Sequence, residues 1–113
     1  METRVSSAAD KFGLVVRFKL KPGHEEAFDR LVSETLTGIK DREPGTLVYA
    51  SHAVREAPDE RLFYELYENR AAFDAHEEQP HVRRFLEERD QHLDGFEVDF
   101  LAVVAAKGAP GRH

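Results

Sequence analysis

The chain has 113 residues, enough for one domain with a single core. It contains no cysteine, which excludes disulfides, thiolate metal sites and a cysteine nucleophile, and suits a reducing cytoplasm. Its formal charge of −6, with lysines and arginines scattered among acids, argues against nucleic acid as a partner; no apolar run approaches the ~20 residues of a membrane span.

Residues 1–11 read as a flexible leader, 12–104 as one folded domain and 105–113 as a flexible tail. The leader has no long apolar stretch of the signal-peptide kind. "FGLVVRFKL" is a first strand: Leu14, Val16, Phe18 and Leu20 make one apolar face, while Val15, Arg17 and Lys19 make a mixed one. "KPG" stops it. From His24 the period changes, and Phe28, Leu31, Val32, Leu36 and Ile39 form the stripe of a long helix. Glu25 and Glu26 in its first turn, with Lys40 and Arg42 in its last, suit the macrodipole. "EPG" at Glu43 to Gly45 ends that helix.

"TLVYASHAV" is a second strand, rich in β-branched and aromatic residues. "REAPDER" reads as a polar connection too long for a tight hairpin, and "LFYELY" as the third strand. Asn69 is a suitable N-cap for a helix that begins at Arg70. Ala72, Phe73 and His76 share one face of it. Pro80 interrupts the helix and opens a further segment, with Val82, Phe85 and Leu86 facing inward. "LDG" closes that segment, and "FEVDFLAVV" is the last strand, with Phe96, Val98, Phe100 and Ala102 on one face.

The order is therefore strand, helix, strand, strand, helix, strand. This is the α+β, ferredoxin-like βαββαβ plan, with the helices on one face of a four-stranded antiparallel sheet. The other face carries Val15, Leu101 and Val103. A small domain with such a face is expected to form a homodimer, sheet against sheet.

The stretches "EPGTLVY" and "FYELYENRAAFDAHEEQPHVRRF" resemble the antibiotic biosynthesis monooxygenase family of dimeric α+β barrel proteins. The matching positions are Glu43-Pro44-Gly45, Glu65 and Tyr67, Ala72-Phe73, His76, and Pro80-His81. The resemblance runs from about Phe12 to Val104. It implies a homodimer with a pocket in each subunit between sheet and helices. It also implies oxidation of a small phenolic, quinol or quinone-like aromatic by O₂ without metal or flavin. Other relatives bind or rearrange small metabolites, so a non-oxidative isomerase or a ligand-binding protein is the alternative. A haem-degrading branch uses an Asn, Trp and His set. This chain lacks tryptophan, and its asparagine, Asn69, is taken as a helix cap.

Cofactor-free oxygenation needs a general base to ionise the substrate, hydrogen bonds to the resulting anion, and a dry cavity. Histidine titrates near neutrality, so His76 is the candidate base. Glu65 can orient a histidine or take a proton itself. Tyr49 and Tyr67 can donate to a substrate oxygen, and Phe73 and Phe85 can wall the pocket. His81 and His52 are further candidates for substrate binding. Each has a plainer reading: Glu65 as the ion-pair partner of Arg17, His76 as a hydrogen-bonded core residue, His81 as half exposed after its proline. His52 can face either way, and Tyr64 fits core packing. His76 and His81 are five apart, about 140° around a continuous helix, so no metal site is expected. There is no phosphate-binding glycine loop and no nucleophile elbow.

Overall fold

The computed structural model describes residues 10–108. Positions 1–9 of the expected leader and 109–113 of the expected tail lie outside the described residues. The elements run β1 (Phe12–Leu20), α1 (Glu25–Arg42), β2 (Thr46–Val54), β3 (Ala57–Tyr67), α2 (Arg70–Glu78), α3 (Pro80–Glu88), a 3₁₀ turn (Arg89–His92) and β4 (Leu93–Ala102). The sheet is antiparallel in the order β2-β3-β1-β4, which is the ferredoxin-like arrangement the sequence predicts.

The core follows from the alternation in β1. Leu14, Val16, Phe18 and Leu20 are buried, and Arg17 and Lys19 are exposed on the opposite face. Phe28, Leu31 and Val32 of α1, Phe63 of β3 and Phe85 of α3 close over them. Phe18 packs against Phe28 at 5.4 Å and edge-on to Phe63 at 4.8 Å between ring centroids. Each such ring contributes about 1.5–3 kcal/mol by leaving water. The stop at "KPG" is a turn in which the His24 amide donates to the Lys21 carbonyl at 3.0 Å. Gly23 takes φ 83°, a conformation that disfavours any residue with a Cβ. Asn69 caps α2 as predicted, its Oδ1 accepting from the Ala72 amide at 2.8 Å.

Two boundaries and one side chain's placement differ from the sequence reading. The connection between β2 and β3 is a short turn at Arg55 and Glu56, and most of "REAPDER" belongs to β3. Its charges are paired across the fold: Arg17 with Glu60, Lys19 with Asp59, and Arg61 with Asp29. Pro58 is tolerated because the register shifts beside it, between Ala53 and Val54. "LDG" does not end the preceding helix. The 3₁₀ turn does, and the bulge between Lys19 and Leu20 admits the extra residue of β4. Tyr64 is not in the core beneath the helices; it lies half-buried on the outward face, opposite Val15.

The helices leave β4 uncovered. Phe96, Val98 and Phe100 are 45%, 37% and 62% exposed on the helix-side face, and Leu101 is 40% exposed on the other. Apolar surface thus lies open on both sides of this edge strand, and more of it than the outward face alone would give.

Candidate active site

Glu43, which the sequence reading treats only as part of a helix stop, organises the site. It is the C-cap of α1, and its amide donates to the Ile39 carbonyl at 3.1 Å. The turn after it lies hard against α2: a Cβ on Gly45 would fall 2.8 Å from that of Ala72. Glycine here lets the turn carry the Glu43 carboxylate into the gap between α1, α2 and α3. Its side chain is only 4% exposed. Thr46, at the start of β2, donates its hydroxyl to Oε1 at 2.7 Å.

Two histidines share that carboxylate. His76 Nδ1 lies 2.7 Å from Oε1, and His81 Nε2 lies 2.5 Å from Oε2. Burial alone would push Glu43 upward, but the hydrogen bonds from His76 and Thr46 outweigh it and hold the carboxyl below its ordinary range. An ionised carboxylate fixes the His76 tautomer: the neutral ring donates from Nδ1 and carries its lone pair on Nε2. Nε2 faces inward, 4.0 Å from Oε1 of Glu65.

Glu65 lies on the core face of β3 opposite Leu14, so it does not pair with Arg17. Arg17 is on the outward face and bonds Glu60. Residues of like parity in β1 and β3 face opposite sides in this register, which is why the expected pairing fails. Burial raises the Glu65 carboxyl above its ordinary range, against a hydrogen bond that Tyr67 donates to it at 2.6 Å. The Tyr67 hydroxyl is itself pushed far up, by burial and then by the Glu65 charge. Burial, followed by the charges of Glu65 and Glu43, likewise pushes the Tyr49 hydroxyl well above the phenol range. Both tyrosines therefore remain donors.

A cavity of about 120 Å³ opens between sheet and helices, and Tyr49, Glu65, Phe73, His76 and Phe85 line it. Tyr67 is absent from the lining; it acts on Glu65 and packs its ring 5.0 Å from His76. His81 is also outside it, on the far side of Glu43. His52 is exposed on the opposite face of the sheet, with Nδ1 3.0 Å from the Leu62 carbonyl. Arg89 lines the cavity too, and nothing in its sequence context singled it out. A larger open groove of about 460 Å³ runs between α1 and β2, but its acid and base, Asp29 and Arg61, are already paired. It offers no general base.

Two substitutions test this geometry. A Cβ on Gly38 would meet His81 Cγ at 2.4 Å, so Gly38→Ala should drive the ring off Glu43 and lower the melting temperature. In a His81→Ala background the same change should be neutral or stabilising, since alanine exceeds glycine in a helix by about 1 kcal/mol. Equal effects in both backgrounds would contradict the close packing. For Glu65, a raised folded pKa means stability that is full below the unfolded value and lost as pH rises through the folded one. Glu65→Gln should therefore melt near wild type at about pH 4 and above it toward neutrality. A melting-temperature difference that does not change with pH would count against a buried ionising carboxyl.

The fold and the carboxylate–histidine cluster define a ferredoxin-like α+β protein with Glu43, His76 and Glu65 buried under its helices. The antibiotic biosynthesis monooxygenase family model matches residues 11–88, and the chain belongs to that family. It is 32% identical over 83 residues to an uncharacterized protein of Synechocystis, spanning 74% of this chain and 56% of that one. A Lactobacillus acidophilus structure superposes with a TM-score of 0.77 at 25% identity, covering 85% of this chain and 46% of its own. A Caulobacter crescentus structure whose name carries the same family description reaches 0.81 at 20% identity, covering 86% and 92%. At that identity the last of these speaks to fold alone. The chain spans about half the length of the Synechocystis and Lactobacillus proteins. Among the described residues no helix is long and apolar enough to cross a membrane.

Proposed function

We propose that the chain is a cofactor-independent monooxygenase that oxidises a small phenolic or quinol-type aromatic with O₂. The observation that carries this reading is His76, held from behind by the Glu43 carboxylate with Nε2 turned into an aromatic-lined cavity beside Glu65. His76 takes the phenolic proton at Nε2, and Glu43 stabilises the imidazolium that forms. Glu65, 4.0 Å from Nε2, acts on that ring through its charge and not through a hydrogen bond. The electron-rich phenolate then reduces O₂. In the overall balance the phenol gives up four electrons, one oxygen atom becomes a quinone carbonyl, and the other leaves as water. Phe73, Phe85 and Tyr49 exclude bulk water, which strengthens each of these charge interactions. Oxygen uptake across a panel of phenols and quinols tests the reading. Stoichiometric uptake with quinone appearing supports it, and no uptake with any member refutes it.

The catalytic unit in this reading is a homodimer. Val98 and Phe100 line the cavity on the uncovered side of β4, with Phe96 exposed on the same face, and a second sheet laid there would close it. Sedimentation should give twice the chain mass of 12.9 kDa. Phe100→Asp should shift the population toward the single mass. A clean wild-type monomer at micromolar concentration would exclude the barrel.

A further inference from the structure

We infer that the ligand is a single aromatic ring bearing an anionic oxygen, and that Arg89 is the residue that takes that oxygen. The proposal rests on the cavity being the substrate site, and it adds the charge and size of what enters.

Arg89 begins the 3₁₀ turn between α3 and β4, and its side chain lines the cavity. The side chain is 19% exposed, and its Nε atom is buried without a hydrogen-bond partner. The nearest carboxylate, on Asp90, lies 3.8 Å from Nε, too far for a hydrogen bond, and is mostly in solvent. Nε is sealed off from the cavity, so the part of Arg89 that an occupant would meet is the accessible remainder of its guanidinium, and no hydrogen bond to a carboxylate ties that group down. Phe96 and Phe18 hold the group in place, with the guanidinium carbon 4.5 Å and 5.7 Å from their ring centroids. A planar group clamped in this way leaves its N–H edge for an in-plane oxygen pair or a single anionic oxygen.

The rest of the cavity agrees with that occupant. Its volume of about 120 Å³ is near that of engineered cavities that accept benzene, and well below pockets that hold drug-sized ligands. The walls are mainly apolar and include the rings of Phe18, Tyr49, Phe73, Phe85 and Phe100, which suits an aromatic body. Burial drives Glu65 and Tyr49 upward, and the Arg89 charge acts against that drive at both, so the cation is felt at the acid–base end of the cavity. Glu77 at the rim and Glu65 within would repel an anion, and Arg89 is the cation in the lining that offsets them. A phenolate formed at His76, or a ring carboxylate, meets the same donor.

Binding measured without oxygen separates this inference from the oxidative reading. The full-length protein is titrated calorimetrically with benzoate and with its neutral isostere benzamide. It is titrated spectrophotometrically with 4-nitrophenol, whose yellow anion reports its own ionisation. Benzoate should bind roughly tenfold or more tightly than benzamide, or 4-nitrophenol should turn yellow on binding at a pH where it is colourless in buffer. The first outcome names a carboxylate and the second a phenolate. Arg89→Met should abolish whichever preference appears, weakening benzoate far more than benzamide, and Arg89→Lys should restore part of it. The dimer mass and melting curve of each variant check the fold. A preference that survives Arg89→Met, the absence of any preference, or no binding of any probe would overturn the inference. Anion binding that depends on Arg89 without oxygen uptake would uphold it and sink the monooxygenase reading alone.

Discussion

Replacing His76 by alanine should lower turnover of an oxidisable phenol by roughly 10²–10⁴-fold, the range for losing a positioned general base. The fold should survive, because the ring lies at the helix–cavity boundary and Phe73 still anchors α2 in the core. KM should change little, since the base acts on a proton in transit and contributes little to holding the ring of the substrate. Glu43 acts through His76, so its effect should be recognisable as one of positioning. Glu43→Gln keeps the shape but presents an amide to Nδ1. An NH₂ group turned to that nitrogen reverses the tautomer and leaves Nε2 carrying a proton, unable to accept one. The expected loss in kcat is about 10²-fold or more, with KM again little changed. The His76→Ala/Glu43→Gln double variant should be no worse than His76→Ala alone, because the two residues form one unit. Additive losses in the double variant would mean that Glu43 has a separate role. Full activity in His76→Ala would move the base elsewhere, with Glu65 as the next carrier.

The fold was legible because its signals are periodic. Alternation in β1, the three-and-four spacing of α1 and the proline between α2 and α3 each mark an element by its own geometry. What failed depended on partners in space. The charged stretch from Ala57 to Arg61 looks like loop because acids and bases favour water, yet the cross-strand pairs with Arg17 and Lys19 and the Arg61–Asp29 bridge hold it in the sheet. Glu65 and Arg17 look like partners because both are odd-numbered residues of neighbouring strands, and the register sets them on opposite faces.

The site was legible in one half. Phe73 and His76 are three apart on a helix whose apolar side is fixed by Ala72 and Phe73, so the burial of His76 follows from spacing. Its partner Glu43 is 33 positions away, at a helix stop whose local reading is complete without it. The available signal was the carboxylate at the helix C-terminus, where the dipole opposes a negative charge. An acid in that place calls for compensating donors, and Thr46, His76 and His81 supply them. Arg89 gave no such signal, because arginine within "RRFLEERD" is indistinguishable from solvated surface until the 3₁₀ turn is seen to end there.

Removing the Glu43 carboxylate should give the largest stability change in the site. Glu43→Ala deletes three hydrogen bonds to a nearly buried anion, from Thr46, His76 and His81. It leaves the donors of both histidines facing a void. Bonds to charged groups are worth about 1.5–3 kcal/mol each, and stranded donors add their desolvation. Part of this is returned as the two rings relax toward solvent, so about 3–5 kcal/mol is expected, as for breaking a buried pair. Urea denaturation should show it as a lower midpoint with an unchanged slope. The pH dependence carries the sign. Glu43 is held below its ordinary range in the folded state, so its contribution is present above the unfolded pKa and is lost as pH falls through the folded one. Wild type should therefore lose stability on acidification below about pH 4.5, and Glu43→Gln, which has no proton to take up there, should lack that component. If the two acid limbs coincide, the carboxylate is not the group that links α1 to the two histidines, and His76 is oriented by something else.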